Sequence, residues 1–171
     1  MNILIAEDEE NIAYLYRASL QSRGHEVAIA MNGRECLEKF AQAMKSMSSS
    51  RAAPFDVIIL DYRMPVMDGM EAAVEILRLV PEQRVIFASA YVKETLQESI
   101  KVLNAVVELL QKPFELDVLV EAVEDTKLFE ELAKLNVDIK KVKEWNPTHS
   151  QIKDLLDGLL KLRKLPKNLA V

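Results

Sequence analysis

One stretch constrains the chain more than any other: Phe55-Asp-Val-Ile-Ile-Leu-Asp-Tyr-Arg-Met-Pro-Val-Met-Asp-Gly69. Val57 to Leu60 is an unbroken β-branched and apolar run, which suits a strand covered on both faces of a parallel sheet. Asp61 then stands where that strand meets a loop carrying Pro65 and Asp68-Gly69, both strong turn signals. Open parallel sheets bind ligands outside the carboxyl ends of their strands. A single carboxylate delivered to that position is therefore a functional candidate.

The rest of the chain supplies partners for this strand. Ile3-Leu4-Ile5-Ala6 reads as a first strand, ending in four consecutive carboxylates, Glu7-Asp8-Glu9-Glu10. A helix follows with Ile12, Leu15, Tyr16 and Ser19 on one face, closed by Gly24 as a C-cap. Glu26–Ala30 is a second strand, and Asn32-Gly33 turns into a helix with Cys36, Leu37, Phe40 and Met44 inward. Residues 45–54 are small, polar and proline-terminated, and read as a mobile connector. Met70–Val80 predicts a helix closed by Pro81, Arg84–Ala88 a fourth strand, Glu94–Asn104 a helix, and Val106–Leu110 a fifth strand. A last helix begins near Glu115 with Leu116, Leu119, Val120 and Val123 on one face. Five strands alternating with five helices predict a doubly wound α/β domain with right-handed crossovers.

The totals agree with one such domain plus an appendage. The chain has 171 residues, 50% hydrophobic and 29% charged, with no apolar run long enough to span a bilayer and no signal-peptide pattern. A cytoplasmic protein is expected. The single cysteine, Cys36, excludes an internal disulfide and reads as a core thiol. The net charge of -5 is uneven: residues 1–135 hold 14 Lys/Arg against 23 Asp/Glu, and residues 136–171 hold 8 against 4. The main body therefore has no overall attraction for nucleic acid.

The strand ends together define a chemistry. Strand one ends at Glu7 and Asp8, strand three at Asp61, strand four at Ser89, and strand five at Lys112. Three crowded carboxylates repel unless a cation neutralises them, and oxygen-only ligands suit Mg²⁺ or Mn²⁺. A lysine and a hydroxyl beside them suit the oxygens of an anion. Taken singly, Lys112 reads as a surface lysine and Ser89 as a strand-end cap. Together on four strand ends they predict phosphoryl transfer, with Asp61 as nucleophile.

The pieces Ile3-Leu-Ile-Ala-Glu-Asp-Glu9, Leu60-Asp-Tyr-Arg-Met-Pro-Val-Met-Asp-Gly69, Phe87-Ala-Ser-Ala90 and Lys112-Pro-Phe114 resemble the receiver (phosphoacceptor) domain of two-component response regulators. The resemblance covers roughly residues 1–125. It implies a flavodoxin-like five-stranded sheet of order 2-1-3-4-5 and phosphorylation of Asp61 by a sensor histidine kinase or phosphotransfer protein. It also implies Mg²⁺ held by Asp8, Asp61 and the backbone carbonyl of Arg63, with Glu7 acting through water. Ser89 and Lys112 would each hold a phosphoryl oxygen. Such a domain is a switch and not an enzyme with turnover on an external substrate. Three departures stand out: Glu7 where an aspartate is usual, a long connector at 45–54, and Leu109 where an aromatic switch residue is frequent. Tyr91, two residues after Ser89, is expected to shield the acyl phosphate.

Residues 126–171 form a helical extension that matches no family pattern. Leu128, Leu132, Leu135, Ile139 and Val142 follow heptad spacing, which Asn136-Val137-Asp138 can interrupt. Thr148-x-x-Gln151 reads as a capping box before a helix to about Lys164, with Ile152, Leu155, Leu156 and Leu159 apolar. A helix of this length is marginal alone, so it should dimerise the protein, dock on the receiver, or bind a downstream protein partner. DNA binding by the basic run Lys161–Lys167 is the alternative output. His25 and His149 lack partners at metal-ligand spacing and read as surface residues.

Overall fold

The computed structural model describes residues 1–46, 53–90, 107–135, 137, 142 and 149–164. Five parallel strands, β1 (Asn2–Ala6), β2 (Glu26–Ala30), β3 (Val57–Asp61), β4 (Val85–Ser89) and β5 (Val107–Gln111), form one sheet in the order β2-β1-β3-β4-β5. The order reverses between β1 and β3, so the topological switch point lies at the carboxyl ends of those two strands. Their register is Ile3↔Val57 through Ala6↔Leu60, which brings Glu7 and Asp61 to the same edge.

Strand periodicity divides the core. Leu4, Ala6, Ile58, Leu60, Phe87 and Leu109 face one side, against Cys36 and Phe40 of α2 (Gly33–Ser46) and Ala73, Ile76 and Leu77 of α3 (Gly69–Leu79). Ile3, Ile5, Val57, Ile59, Ile86, Ala88 and Leu110 face the other, against Tyr16 and Leu20 of α1 (Glu10–Ser22) and Leu119, Val120, Ala122 and Val123 of α4 (Leu116–Glu124). Both faces being covered explains why β3 carries four successive buried apolar residues. Phe40 and Phe87 are fully buried, each stabilising the fold by about 1.5–3 kcal/mol relative to exposure.

The buried stripe of α1 differs from the one expected. Ala13, Tyr16 and Leu20 are buried, whereas Leu15 is 52% exposed. The small Ala13 lets the helix approach the sheet, and Tyr16 stacks on Phe114 with ring centroids 5.6 Å apart; these contacts set the rotation. Cys36 is a core thiol, its pKa pushed up to about 12 by burial. Helix α2 runs to Ser46, past the start expected for the connector. The expected helix at 94–104, Tyr91, and most of the connector lie outside the described residues.

Beyond α4 come α5 (Leu128–Lys134) and α6 (His149–Lys164). Helix α5 stops at Lys134, so the heptad spacing does not continue as one helix; Ile139 and the cap at Thr148 lie outside the described residues. Leu128 and Leu132 pack on Ile152 and Leu156, with Leu155 and Leu159 half-buried beside them. Both histidines are corrected. His149 is 2% exposed, with Nδ1 3.1 Å from Glu108 Oε2, and half-buried His25 has Nε2 3.2 Å from Glu124 Oε1. Their carboxylate partners are 41 and 99 residues away, out of reach of any local pattern.

Candidate functional site

The β3–α3 loop is built around Asp61. Gly69 approaches the strand end so closely that a Cβ there would meet the Asp61 carbonyl oxygen at 2.0 Å, and only glycine fits. The Gly69 amide donates to the Tyr62 carbonyl at 3.0 Å. Asp68 then starts α3 with a capping box: its carboxylate accepts from the Glu71 amide at 2.8 Å, and Glu71 accepts from the Asp68 amide at 3.2 Å. Between them, Val66 has φ 70°, and the Met67 amide donates to the Pro65 carbonyl at 2.8 Å. This is a γ-turn of the rare positive-φ kind, centred on a β-branched residue. The loop is thus pinned at both ends and strained between them.

Glu7, Asp8 and Asp61 come together, each offering a carboxylate oxygen within 4.8 Å of the others. Glu7 is 1% exposed, and its Oε1 has no hydrogen-bond partner. The Lys112 Nζ lies 2.7 Å from Glu7 Oε2 and 3.4 Å from Asp61 Oδ1. Burial pushes the Glu7 and Asp61 carboxyls above their ordinary ranges; Lys112 opposes the rise in both, and the Asp8 charge adds to it at Asp61. Burial, with the charges of Glu7, Asp61 and Glu9, raises the Tyr16 phenol. Ser89 is buried at the end of β4, and its carbonyl accepts from the Lys112 amide at 2.8 Å. A cleft of ≈ 430 Å³ opens over the site, lined by Asp8, Tyr62, Arg63, Met64, Pro65 and Asp68. All the residues singled out at the strand ends therefore lie along one edge of the sheet, with Arg63 in the wall of the cleft.

One cluster escaped the sequence reading. Glu108 on β5 is 2% exposed. The Arg84 Nε donates to Glu108 Oε1 at 2.8 Å, and Arg84 also donates to the Val123 carbonyl at 2.8 Å and to the Ala122 carbonyl at the end of α4. With His149 on Glu108's other oxygen, this forms a buried network at the opposite end of β5 from Lys112. A carboxylate inside an apolar strand was the visible signal.

An open α/β sheet with three carboxylates and a lysine at its switch point is an oxyanion- and cation-handling site of the doubly wound class. The chain belongs to the response regulator receiver family: residues 3–124 match the model for the response regulator receiver domain. It is 30% identical over 122 residues to the chemotaxis protein CheY of Thermotoga maritima, covering 70% of this chain and 92% of that protein. It is 31% identical over 135 residues to the transcriptional regulatory protein ZraR of Klebsiella oxytoca, covering 76% of this chain but 28% of that protein. The chain thus spans only about a quarter of the first curated relatives it matches. Among solved structures, it is similar to the response regulator TrrA of Thermotoga maritima in complex with Mg²⁺ and BeF, at 32% identity and TM-score 0.59, covering 72% of this chain and 96% of that one. The protein is a two-component receiver domain, CheY-like in architecture, followed by a C-terminal helix. Among the described residues no helix is long and apolar enough to cross a membrane.

Proposed function

We propose that Asp61 is the phosphoacceptor of a two-component signalling switch, receiving its phosphoryl group from a histidine kinase or phosphotransfer protein. The observation that carries this reading is the placement of Asp61 at the end of β3, 3.4 Å from Lys112 and within 4.8 Å of the Glu7 and Asp8 carboxylates. An Asp61 carboxylate oxygen forms the new bond to phosphorus as the donor's nitrogen–phosphorus bond breaks, and the donor imidazole leaves. Lys112 is within reach to pair with a phosphoryl oxygen, and Ser89 offers its hydroxyl from the neighbouring strand end.

The donor set fits a hard divalent cation: oxygens only, closely spaced, with a buried Glu7 oxygen that lacks a partner. Asp8, Asp61 and the Arg63 carbonyl would hold Mg²⁺ or Mn²⁺, with Glu7 in support through water. The ion would neutralise the crowded carboxylates and the charge on the transferring oxygens. The output is protein interaction, and residues 126–171 act as a docking extension. Packing of Ile152 and Leu156 on α5 supports docking over a free DNA-binding helix.

Incubation with a small acyl phosphate and Mg²⁺ should add one phosphoryl group per chain by intact mass. Asp61→Asn should remove it, as should chelation of the metal. Undiminished labelling of Asp61→Asn would overturn the assignment.

A further inference from the structure

The side chain that begins α6 sits in a buried, charged seat. His149 is 2% exposed, and its two ring nitrogens face two carboxylates: Nδ1 is 3.1 Å from Glu108 Oε2, and Nε2 is 3.8 Å from Asp125 Oδ2. Glu108 comes from β5, and Asp125 is the C-cap of α4. Arg84, just before β4, pairs with the other Glu108 oxygen and donates to the Ala122 and Val123 carbonyls. Strand and helix therefore form one seat. From α4, Glu121 pairs with Lys153 of α6 at 2.8 Å. From α5 come the apolar Leu128 and Leu132, packed on Ile152 and Leu156.

Hydrogen-bond capacity decides how His149 fits this seat. A carboxylate only accepts, so Nδ1 carries the proton that points at Glu108. In a neutral imidazole Nε2 is then a bare acceptor. That atom is buried without a hydrogen-bond partner, and the group it faces is the Asp125 carboxylate, another acceptor. A neutral ring would lose its hydration there with nothing in return. A second ring proton turns Nε2 into a donor aimed at Asp125. The charges agree. Arg84 balances Glu108 and Lys153 balances Glu121, so among the described residues Asp125 has no cation other than His149.

We infer that α6 is seated with His149 as an imidazolium bridging Glu108 and Asp125, which makes docking of the C-terminal helix a proton-linked switch, tightened by acid and loosened by alkali. Histidine is the side chain whose charge ordinarily changes across the neutral range. Seating holds a proton that an undocked, solvated His149 releases as the pH rises. Docking is therefore strongest below the ordinary histidine range and weakens as the pH climbs through and beyond it. One proton allows a change of at most about tenfold per pH unit. The linkage needs nothing from Asp61 and holds whether or not that residue is the phosphoacceptor.

Hydrogen exchange on the full chain between about pH 6 and about pH 8 brackets the change in histidine charge. With the intrinsic pH dependence of amide exchange removed, protection in 149–164 reads docking, and β1 and β3 are the internal reference. Relative to those strands, protection of α6 should fall by about threefold or more across the range. Asp125→Asn replaces the anion with an amide that can donate to a neutral Nε2, and it leaves the packing of Ile152 and Leu156 in place. Its α6 protection should be flat with pH, as should that of His149→Gln, which can donate to Glu108 but cannot charge. Nitrogen-15 spectra of the wild-type imidazoles at about pH 7 should show both His149 nitrogens protonated, the signals being assigned by their loss in His149→Gln. A singly protonated His149 ring at that pH would overturn the switch. So would α6 protection that tracks β1 and β3 throughout, or a wild-type pH dependence that survives in Asp125→Asn.

Discussion

Lys112 pairs more tightly with Glu7 than with Asp61: Nζ is 2.7 Å from the Glu7 carboxylate and 3.4 Å from that of Asp61. The longer arm of Glu7, where the family more often has aspartate, reaches the lysine more closely than does Asp61, the carboxylate we propose as phosphoacceptor. Lys112 neutralises a carboxylate that is 1% exposed.

Lys112→Ala should therefore destabilise the metal-free protein strongly, because a buried charge left unpaired costs about 3–5 kcal/mol. Mg²⁺ should restore much of that loss, since a cation can take the lysine's place and binding to the fold alone adds about 2.7 kcal/mol at a hundredfold excess over its Kd. Urea titrations with and without Mg²⁺ read both effects. The variant should gain more from the metal than the wild type, and equal gains would refute the competition.

Gly69→Ala tests the close approach that positions Asp61. The added Cβ would lie 2.0 Å from a backbone oxygen, so the loop or the end of β3 must shift. A loss of about 3 kcal/mol in stability is expected, together with weakened Mg²⁺ binding by calorimetry. Gly158→Ala is the matched control. Nothing lies within 4 Å of a Cβ at that position in α6, so the substitution should stabilise by about 1 kcal/mol.

Val66→Asn addresses the strained turn. Val66 is 81% exposed and has φ 70°, so its side chain has no core packing to lose. Asparagine accepts positive φ more readily than a β-branched residue. A gain of roughly 1 kcal/mol is expected by denaturant midpoint. Val66→Ile keeps the branching and should give none.

The receiver half was legible because its signals are local. Val57–Leu60 announced a strand buried on both faces, Asp68-Gly69 a turn, and Glu7, Asp8, Asp61, Ser89 and Lys112 each followed an apolar run. Sheet order came from the family resemblance and not from periodicity, which cannot rank strand neighbours. The rotation of α1 was missed because Leu15 and Leu20 look equivalent until Tyr16 finds Phe114. The tail was the least legible part. Glu108 gave one signal, a carboxylate inside an apolar strand, but Arg84 and His149 are unremarkable in sequence, and the network exists only when β5, the start of β4 and α6 converge.

The electrostatics of Asp61 predict a fold held below its attainable stability for the sake of the site. Burial, with the charge of Asp8, raises its carboxyl pKa, and burial raises that of Glu7. A carboxyl whose pKa is higher folded than unfolded binds its proton more tightly in the fold. Stability from these groups is therefore fully present below the unfolded value of about 4. It declines as pH rises through the raised folded values, and stays lost above them. Asp61→Asn removes the charge while Lys112 keeps Glu7 as its partner. At neutral pH the variant should be more stable than the wild type. The difference should shrink towards zero as the pH falls below the carboxylate range, where Asp61 is protonated in both states. Paired urea melts at several pH values measure it, and a difference that widens towards acid would show that Asp61 is stabilised as an anion by Lys112, not strained by its burial.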